Sequence, residues 1–258
     1  MNRPPLRISV VIPARNEAAL IGSTVGSVLQ ARDRYREARR DGGSVEVIVV
    51  DNASDDGTAA ALARHAAECG VRVATCAPRG AARARNHGAR LASGRALVFL
   101  DADTRLPPGA LVRIAELVDE QGYEAGITRL GALDGGRRAR CWWAFWNAVR
   151  RLPLPRAKAM PACMFCTREV FDEFGPFDER VAIGEEWPIL AGLYRARPRR
   201  FVYDRAIMAL SSGRRMELQR FGYTRTFARY VWAVLSFRGR VTYPDNIRST
   251  ARAATPGD

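Results

Sequence analysis

The stretch that decides the fold is Arg95-Ala96-Leu97-Val98-Phe99-Leu100-Asp101-Ala102-Asp103. Its apolar run, residues 96–100, predicts a strand that is buried on both faces, as in a parallel sheet covered by helices. Side chains alternate along a strand, so Asp101 and Asp103 share one face if the extended geometry continues beyond Leu100. In open α/β sheets, ligands bind in the crevice at the carboxyl ends of the strands. We therefore expect these two acids to lie at a binding site.

Two neighbouring carboxylates repel each other unless a cation lies close to both. Carboxylate oxygens are hard ligands that suit Mg²⁺ or Mn²⁺, with water and substrate phosphates filling the remaining positions. The alternative is a pair of solvated acids in a loop, because Asp is common between strands and turns. The Asp-x-Asp pattern of Asp101 and Asp103 leaves both interpretations open.

Apolar periodicity on both sides of this stretch predicts strands that alternate with helices. The predicted strands are 6–12, 45–50, 71–76 and 96–100, and the predicted helices are 18–31, 58–68, 80–91 and 110–121. The polar segment 32–43 is predicted to be a loop. This alternation indicates an α/β fold with a doubly wound, mainly parallel sheet flanked by helices.

The pattern changes after Gln121. Strands are predicted at 123–130 and 162–167, and a short helix at 168–174. An aromatic stretch follows the loop at 134–138, and one long amphipathic helix is predicted over 216–237. From Thr242 onward we expect a loosely ordered tail.

The composition excludes some classes of protein and favours an anionic partner. The net charge of +14 favours a polyanion, although Lys158 is the only lysine, and coding composition alone could produce so strong an arginine bias. Glycine-rich signatures of dinucleotide dehydrogenases and P-loop NTPases do not occur in the sequence. Five cysteines without an evident export signal lead us to expect a reducing cytoplasm, with Cys163 and Cys166 as packing residues.

Six segments in order carry a resemblance to a known family. They are Ser9–Glu17, Val49–Thr58, Ala84–Gly88, Phe99–Asp103, Gly175–Glu179 and Gly184–Trp187. This series resembles the nucleotide-sugar glycosyltransferases of family 2, which have the GT-A fold, over roughly Ile8 to Trp187. The resemblance implies a GT-A-like α/β sheet with a C-terminal, acceptor-side and helical extension.

The resemblance also implies roles for individual residues. Asp51 would hold the edge of the nucleobase, Asp101 the ribose, and Asp103 with Asp101 a divalent cation, Mg²⁺ or Mn²⁺. The other implied donor-binding residues are Pro13, Ala14 and Glu17 in the nucleoside pocket, Arg85 near ribose or phosphate, and Arg214 and Arg215 at the diphosphate.

Two departures from the family pattern concern the acceptor side and the diphosphate. Glu186 would be the catalytic base and Glu185 the alternative, although relatives usually carry Glu-Asp at this pair. Both glutamates could instead complement the N-terminus of a helix that begins near Pro188. Arg214 and Arg215 stand where many relatives carry a histidine.

The expected function is metal-dependent transfer of a sugar from a UDP- or GDP-linked donor to an acceptor hydroxyl, with inversion. The acceptor would be a sugar, a lipid-linked carrier or a small molecule. We expect residues 1–121 to form the nucleotide-sugar-binding half of a single domain, 122–212 the acceptor-binding half, and 213–258 an amphipathic helix with a flexible tail.

Two other classes remain open at this point. A nucleotidyltransferase can share such a sheet, but it would normally carry a glycine-rich phosphate loop with a lysine after the first strand. A non-catalytic basic protein would bind nucleic acid or a membrane surface, with a steep dependence on salt. We expect no nucleic acid as partner of the transferase.

An aromatic, arginine-rich region suggests where the protein is located. Trp142, Trp143, Phe145 and Trp146 precede Arg150 and Arg151, and the predicted helix 216–237 is flanked by arginines. These segments could rest on an anionic membrane, which would make the protein cytoplasmic and peripheral to the inner face. They could equally be an aromatic core helix and a solvated basic face.

Overall fold

The computed structural model describes residues 6–39, 42–158, 162–181, 183–218 and 221–235. The strands in these ranges are β1 Arg7–Ala14, β2 Ser44–Asp51, β3 Arg72–Thr75, β4 Ala96–Leu100, β5 Thr104–Arg105, β6 Ala125–Ala132, β7 Cys163–Thr167 and β8 Phe201–Ser211. The helices are α1 Ile21–Ala38, α2 Thr58–Cys69, α3 Ala81–Leu91, α4 Ala110–Ala115, α5 Arg137–Val149, α6 Arg168–Phe174, α7 Trp187–Ala196, α8 Arg214–Glu217 and α9 Gly222–Leu235. A π-helical turn, Glu116–Glu120, continues α4.

The strands form one sheet in the order β3-β2-β1-β4-β7-β6-β8-β5. Strands β3, β2, β1 and β4 run parallel to one another, as their helical crossovers require. Strand β7 is antiparallel to both β4 and β6, whereas β6 and β8 are parallel. The predicted α/β sheet flanked by helices is confirmed, and its parallel character is concentrated in the first half.

The sheet has a hydrophobic core on each face. Strand β1 contributes Val10 to the core beneath α1 and α4, and Val11 to the core beneath α3, α6 and α7. Strand β7 divides its cysteines in the same way, with Cys163 in the first core and Cys166 in the second. Burial raises the pKa of the Cys163 thiol to about 12. Both cysteines are packing residues, as predicted.

Close approach between α3 and the sheet fixes the position of one sequence motif. Gly88 lies directly against Val11, so a Cβ atom at this position would overlap the valine side chain. Helix α3 therefore packs very close to β1. Arg85, three residues before Gly88, reaches Asp101 just beyond the carboxyl end of β4. This contact gives the Ala84–Gly88 segment a structural reason for its glycine.

Two predicted helices differ from the structure, and one long strand was not predicted. The helix predicted to end at residue 31 continues to Ala38, because the fully buried Tyr35 packs in the core and donates a hydrogen bond to the Leu6 carbonyl. Strand β8 was not predicted. The long helix predicted over 216–237 is wrong: α8 ends at Glu217, and Phe221 takes a left-handed φ of 61° before α9 begins.

Two expectations fall on other parts of the chain. The tail expected from Thr242 lies outside the described residues. Of the helices in the described ranges, none combines the length and apolar character needed to cross a membrane.

Candidate active site

The predicted donor-binding residues meet at one edge of the sheet. Ala14 and Asp51 are register partners at the ends of β1 and β2, and Asp101 follows β4 directly. The Asn52 amide donates to the Ala14 carbonyl at 2.8 Å, which joins the two strand ends beyond the sheet. The carboxyl edge of three neighbouring parallel strands thus carries these residues together, as the sequence predicted.

Asp51 is almost fully buried, with 7% of its surface exposed. Its Oδ1 atom accepts hydrogen bonds from the Ser54 amide at 3.2 Å and from the Ser54 hydroxyl at 2.5 Å. The Ser54 hydroxyl also accepts from the Asn16 amide at 3.1 Å, so the loops after β1 and β2 are tied together. Asp51 therefore supports a turn at the carboxyl edge of the parallel strands.

The two acids of the Asp-x-Asp pattern lie in a turn. The strand ends at Leu100, and the Thr104 amide donates to the Asp101 carbonyl at 3.0 Å, so the extended geometry does not continue. Alternating burial persists nonetheless, because Ala102 is buried while Asp101 and Asp103 are partly exposed. The side-chain hydroxyl of Thr24 holds the Ala102 carbonyl at 2.8 Å, which fixes the turn to α1.

Arg85 links Asp101 to Glu185, which lies just before α7. Its Nη2 atom donates to Asp101 Oδ1 at 2.6 Å, and its Nη1 atom donates to Glu185 Oε1 at 2.7 Å. Burial alone would lower the pKa of this guanidinium, but the carboxylates of Asp101, Glu185 and Glu186 raise it above its ordinary value. Arg85 is therefore a fixed cation between the two halves of the site.

Asn86 secures the segment before α7, a role that sequence reasoning missed. Its side-chain amide donates to the Phe177 carbonyl at 3.0 Å, and its Oδ1 atom accepts from the Phe177 amide at 2.9 Å. A third hydrogen bond joins Asn86 to Glu179 at 3.0 Å. Helix α3 thus positions the segment that leads to Glu185 and Glu186, which lie about 100 residues later.

The two glutamates have different surroundings. Glu185 is held by Arg85, whereas Glu186 is the N-cap residue of α7 and is 4% exposed. The Glu186 carboxylate makes no side-chain capping hydrogen bond to α7. Glu185 is therefore paired with Arg85, and Glu186 begins α7 without a capping hydrogen bond from its side chain.

The segment at the end of β8 packs against the turn that carries Asp103. Ser211 pairs with Thr104, and the Ser212 amide donates to the Asp103 carbonyl at 3.1 Å. Arg214 then reaches the fully buried Glu17, with 2.6 Å between Nη2 and Oε2. Arg214 and Glu17 therefore lie side by side, whereas the Arg215 side chain lies outside the described part of the structure.

The residues present fit a divalent cation that is shared with substrate. The described residues contain no group of three or more His, Cys, Asp or Glu side chains that could hold a metal ion by themselves. Mg²⁺ and Mn²⁺ sites of the substrate-bridging kind need only one or two carboxylates, with water and phosphate oxygens as the other ligands. Asp103, together with Asp101, provides this smaller donor set.

Comparisons with known proteins agree with this geometry. Residues 9–174 match the model of the family described as Glycosyl transferase family 2. Over 199 residues the chain is 29% identical to the succinoglycan biosynthesis protein ExoO of Rhizobium meliloti (strain 1021), and the alignment covers 71% of this chain and 54% of that protein. The chain spans about half the length of the curated relatives it matches.

Solved structures share the fold. The mannosyltransferase PcManGT from Pyrobaculum calidifontis, in complex with GDP-Man and Mn²⁺, has a TM-score of 0.63 at 21% identity, covering 89% of this chain and 63% of that one. Glucosyl-3-phosphoglycerate synthase from Mycobacterium tuberculosis, with Mg²⁺ and UDP, has a TM-score of 0.57 at 19% identity, covering 89% and 79%. These likenesses confirm the predicted GT-A fold.

Proposed function

The chain belongs to glycosyl transferase family 2, and we propose that it transfers a sugar from a UDP- or GDP-linked donor to an acceptor hydroxyl, with inversion. The observation that carries the proposal is the convergence of Asp51, Asp101 and Asp103 at one sheet edge, joined through Arg85 to Glu185. Incubation with a panel of nucleotide sugars, with and without Mg²⁺ or Mn²⁺, tests it. Metal-dependent release of a nucleoside diphosphate is the expected result.

The donor occupies the edge formed by β1, β2 and β4 in this proposal. Asp51 accepts a hydrogen bond from the nucleobase, Asp101 holds the ribose, and Pro13 and Ala14 line the pocket. Asp103, with Asp101, would hold the divalent cation, which supplies positive charge to the diphosphate as the sugar leaves. Two solved structures of similar fold contain Mn²⁺ with GDP-Man and Mg²⁺ with UDP, which supports a divalent cation in this site.

The acceptor approaches from the side of α7. Glu186 takes the proton from the attacking hydroxyl, on the sugar face opposite the leaving diphosphate, so that a single displacement inverts the anomeric centre. Arg85 binds both Asp101 and Glu185, and thereby fixes the position of the donor side relative to the acceptor side. Residues 1–121 then act as the donor half, 122–212 as the acceptor half, and 213–258 as a C-terminal extension.

Replacing Asp51 with alanine should mainly weaken donor binding. Loss of a buried acceptor for the nucleobase should raise the donor KM by about tenfold or more, or about 1–3 kcal/mol, with a smaller effect on kcat. Initial rates over a range of donor concentrations give both constants. Ser54→Ala is the matched control, because it removes the hydroxyl bonded to Asp51 Oδ1 and keeps the carboxylate. An equal rise in KM in both variants would indicate that Asp51 stabilises the turn after β2 and does not bind the nucleobase.

Arg214 should bind the diphosphate. Charge-assisted hydrogen bonds from a guanidinium to phosphate are strong, so Arg214→Ala should weaken nucleoside-diphosphate binding by about tenfold, as measured by calorimetry. Arg214→Ala also leaves the buried Glu17 with one partner fewer, so the thermal stability of this variant is measured together with its diphosphate affinity. Arg195→Ala, at an exposed position of α7, serves as control. Unchanged diphosphate affinity in Arg214→Ala would restrict Arg214 to its pairing with Glu17.

The acceptor belongs to the same proposal. It is a hydroxyl group of a sugar, a small molecule or a lipid-linked carrier, and no nucleic acid takes part. A cytoplasmic position at the inner face of the membrane would suit the net charge of +14, because that face is anionic.

A further inference from the structure

Exposed apolar side chains are concentrated on one part of the molecule. Within the described residues, the exposed large hydrophobic side chains are Phe145, Leu152, Leu154, Met208, Leu218, Phe221, Phe227 and Trp232. All except Met208 belong to α5, the turn after it, or the segment from Leu218 through α9. Single exposed apolar residues are ordinary, but this concentration indicates a contact surface.

Helices α5 and α9 form a single packed unit beneath these residues. Trp142 lies 5.7 Å from Tyr223, and Trp146 lies 5.6 Å from Tyr230, measured between ring centroids. Phe145 and Phe227, both exposed, meet at 5.5 Å across the seam between the helices. The aromatic residues therefore divide into an inner layer, which holds the helices together, and an outer layer that faces solvent.

The outer side of α9 combines arginine with tryptophan. Arg225, Arg229 and Trp232 are spaced i, i+4 and i+7, so they lie along one face of the helix. The residues that pack on α5, including Tyr223 and Tyr230, are offset from them by two positions, or about 200° of helix rotation. Trp232 is 53% exposed on this outer side.

Charge in the same segments has one sign. Residues 135–168 contain eight arginine and lysine residues and no acidic residue. Residues 218–244 contain five arginines and likewise no acidic residue. Helix α5 with the turn after it, and helix α9, therefore carry apolar and basic side chains together. We call this set the α5–α9 face and define it by Phe145, Arg151, Leu152, Leu154, Arg225, Phe227, Arg229 and Trp232.

We propose that the α5–α9 face docks on an anionic lipid bilayer. Aromatic and aliphatic side chains enter the headgroup and acyl boundary, while arginines contact the anionic headgroups. Docking would place the proposed enzyme at a membrane surface. It rests on the proposed function only where it places the acceptor at that membrane. The bilayer contact itself requires no donor chemistry.

Other occupants match the face less well. A second copy of the chain would oppose arginines to arginines, with no acidic residue in 135–168 or 218–244 to neutralise them. The chain's own residues 236–258 carry four arginines and two aspartates, so they too are basic. A nucleic acid would satisfy the arginines but offers no apolar phase to Leu152 and Leu154.

The position of the face relative to the site gives the docking a consequence. The loop before α5 supplies Asp134, whose Oδ1 accepts from the Gly213 amide at 2.6 Å, next to Arg214. The loop before α5 therefore adjoins the site, and a docked enzyme would hold the site close to hydroxyl groups at the membrane surface.

Vesicle flotation of the full chain tests the inference. Vesicles of phosphatidylcholine mixed with phosphatidylglycerol should float the protein at low salt, pure phosphatidylcholine should bind at least about tenfold less, and added salt should release it. Leu154→Ser combined with Trp232→Ser should reduce binding by about tenfold or more. The exposed Met208 is the matched apolar control, and Met208→Ser should bind as the wild type does.

A second pair of variants separates a local surface from general charge attraction. Arg151→Glu with Arg225→Glu should reduce binding to anionic vesicles far more than Arg64→Glu with Arg90→Glu, although both pairs change the net charge equally. Equal losses in the two pairs would overturn the proposal, as would an absence of flotation. Tighter binding to RNA than to vesicles, or a dimer that Leu154→Ser with Trp232→Ser abolishes, would assign the face to another partner.

Donor binding, measured in each variant, keeps the two proposals separate. All the surface variants should retain wild-type affinity for the nucleoside diphosphate, which also reports that they are folded. Vesicle binding without any nucleotide binding in the wild type would leave the docking face intact and contradict the proposed transferase. Nucleotide binding without vesicle binding would contradict the docking face alone.

Discussion

Asp103→Ala is expected to reduce sugar transfer by about 10³-fold or more, which corresponds to about 4 kcal/mol of transition-state stabilisation. The variant removes a carboxylate ligand of the proposed cation at the point where negative charge develops on the leaving diphosphate. Asp103 is partly exposed in a turn, where its carboxylate accepts a hydrogen bond from the Thr104 hydroxyl at 3.4 Å. The fold should therefore persist, and initial rates with saturating Mn²⁺ measure the loss.

Two companion variants distinguish a cation ligand from a structural acid. Asp103→Asn preserves the shape and removes the charge, so it should lose nearly as much activity as Asp103→Ala. Asp172→Ala, at an exposed position of α6, should retain full activity. Calorimetry with Mn²⁺ and nucleoside diphosphate reports binding without turnover, and the Asp103 variants should fail to show the metal-dependent part. Near-normal turnover of Asp103→Ala in the presence of EDTA would contradict the metal assignment.

Asp101→Ala should be nearly as damaging for a different reason. Asp101 accepts a hydrogen bond from Arg85, which is buried and paired on its other side with Glu185. Removing the aspartate therefore affects the ribose contact and also leaves a buried guanidinium with one fewer carboxylate. A comparison of thermal stability in Asp101→Ala and Asp103→Ala should show the larger decrease for Asp101→Ala.

The sequence allowed the parallel part of the sheet, β1 to β4, to be predicted because its signals are local. A buried apolar run such as 96–100 indicates its own strand, and the acids at the strand ends then follow from the common polarity of parallel strands. The register of Ala14 with Asp51 is a consequence of the same rule. No contact between distant parts of the chain was needed for these predictions.

The structure around Glu185, β8 and α9 could not be predicted in the same way, because it depends on contacts between residues that are far apart in the sequence. Arg85 and Glu185 are 100 positions apart in the sequence. They can pair because α3 packs very close to β1, and this close packing is possible because residue 88 is a glycine. Strand β8 alternates irregularly and has a bulge opposite Thr128 and Arg129, so its periodicity is weak. The break between α8 and α9 occurs at Phe221, a residue type for which a positive φ is exceptional.

Glu186→Gln is expected to reduce transfer by about 10²-fold or more while preserving donor and metal binding. The amide has nearly the same shape as the carboxylate but does not take up the proton of the acceptor hydroxyl. Glu186 is buried and lies close enough to Arg85 and Arg150 for its charge to influence the pKa of both guanidinium groups. Single-turnover rates at saturating donor and acceptor isolate the chemical step.

Glu185→Gln is the matched control, because it is the adjacent residue with the same chemical change. The glutamine still offers Arg85 an oxygen acceptor in place of the 2.7 Å contact to Glu185 Oε1, so its main effect is the loss of one negative charge. We therefore expect a smaller decrease in rate than in Glu186→Gln, with a change in the affinity for donor. An inactive Glu185→Gln beside an active Glu186→Gln would move the base by one residue, since the neighbour of Arg85 would then be the proton acceptor. Full activity in both variants would place the base on another residue and would leave Glu186 as the buried N-cap of α7.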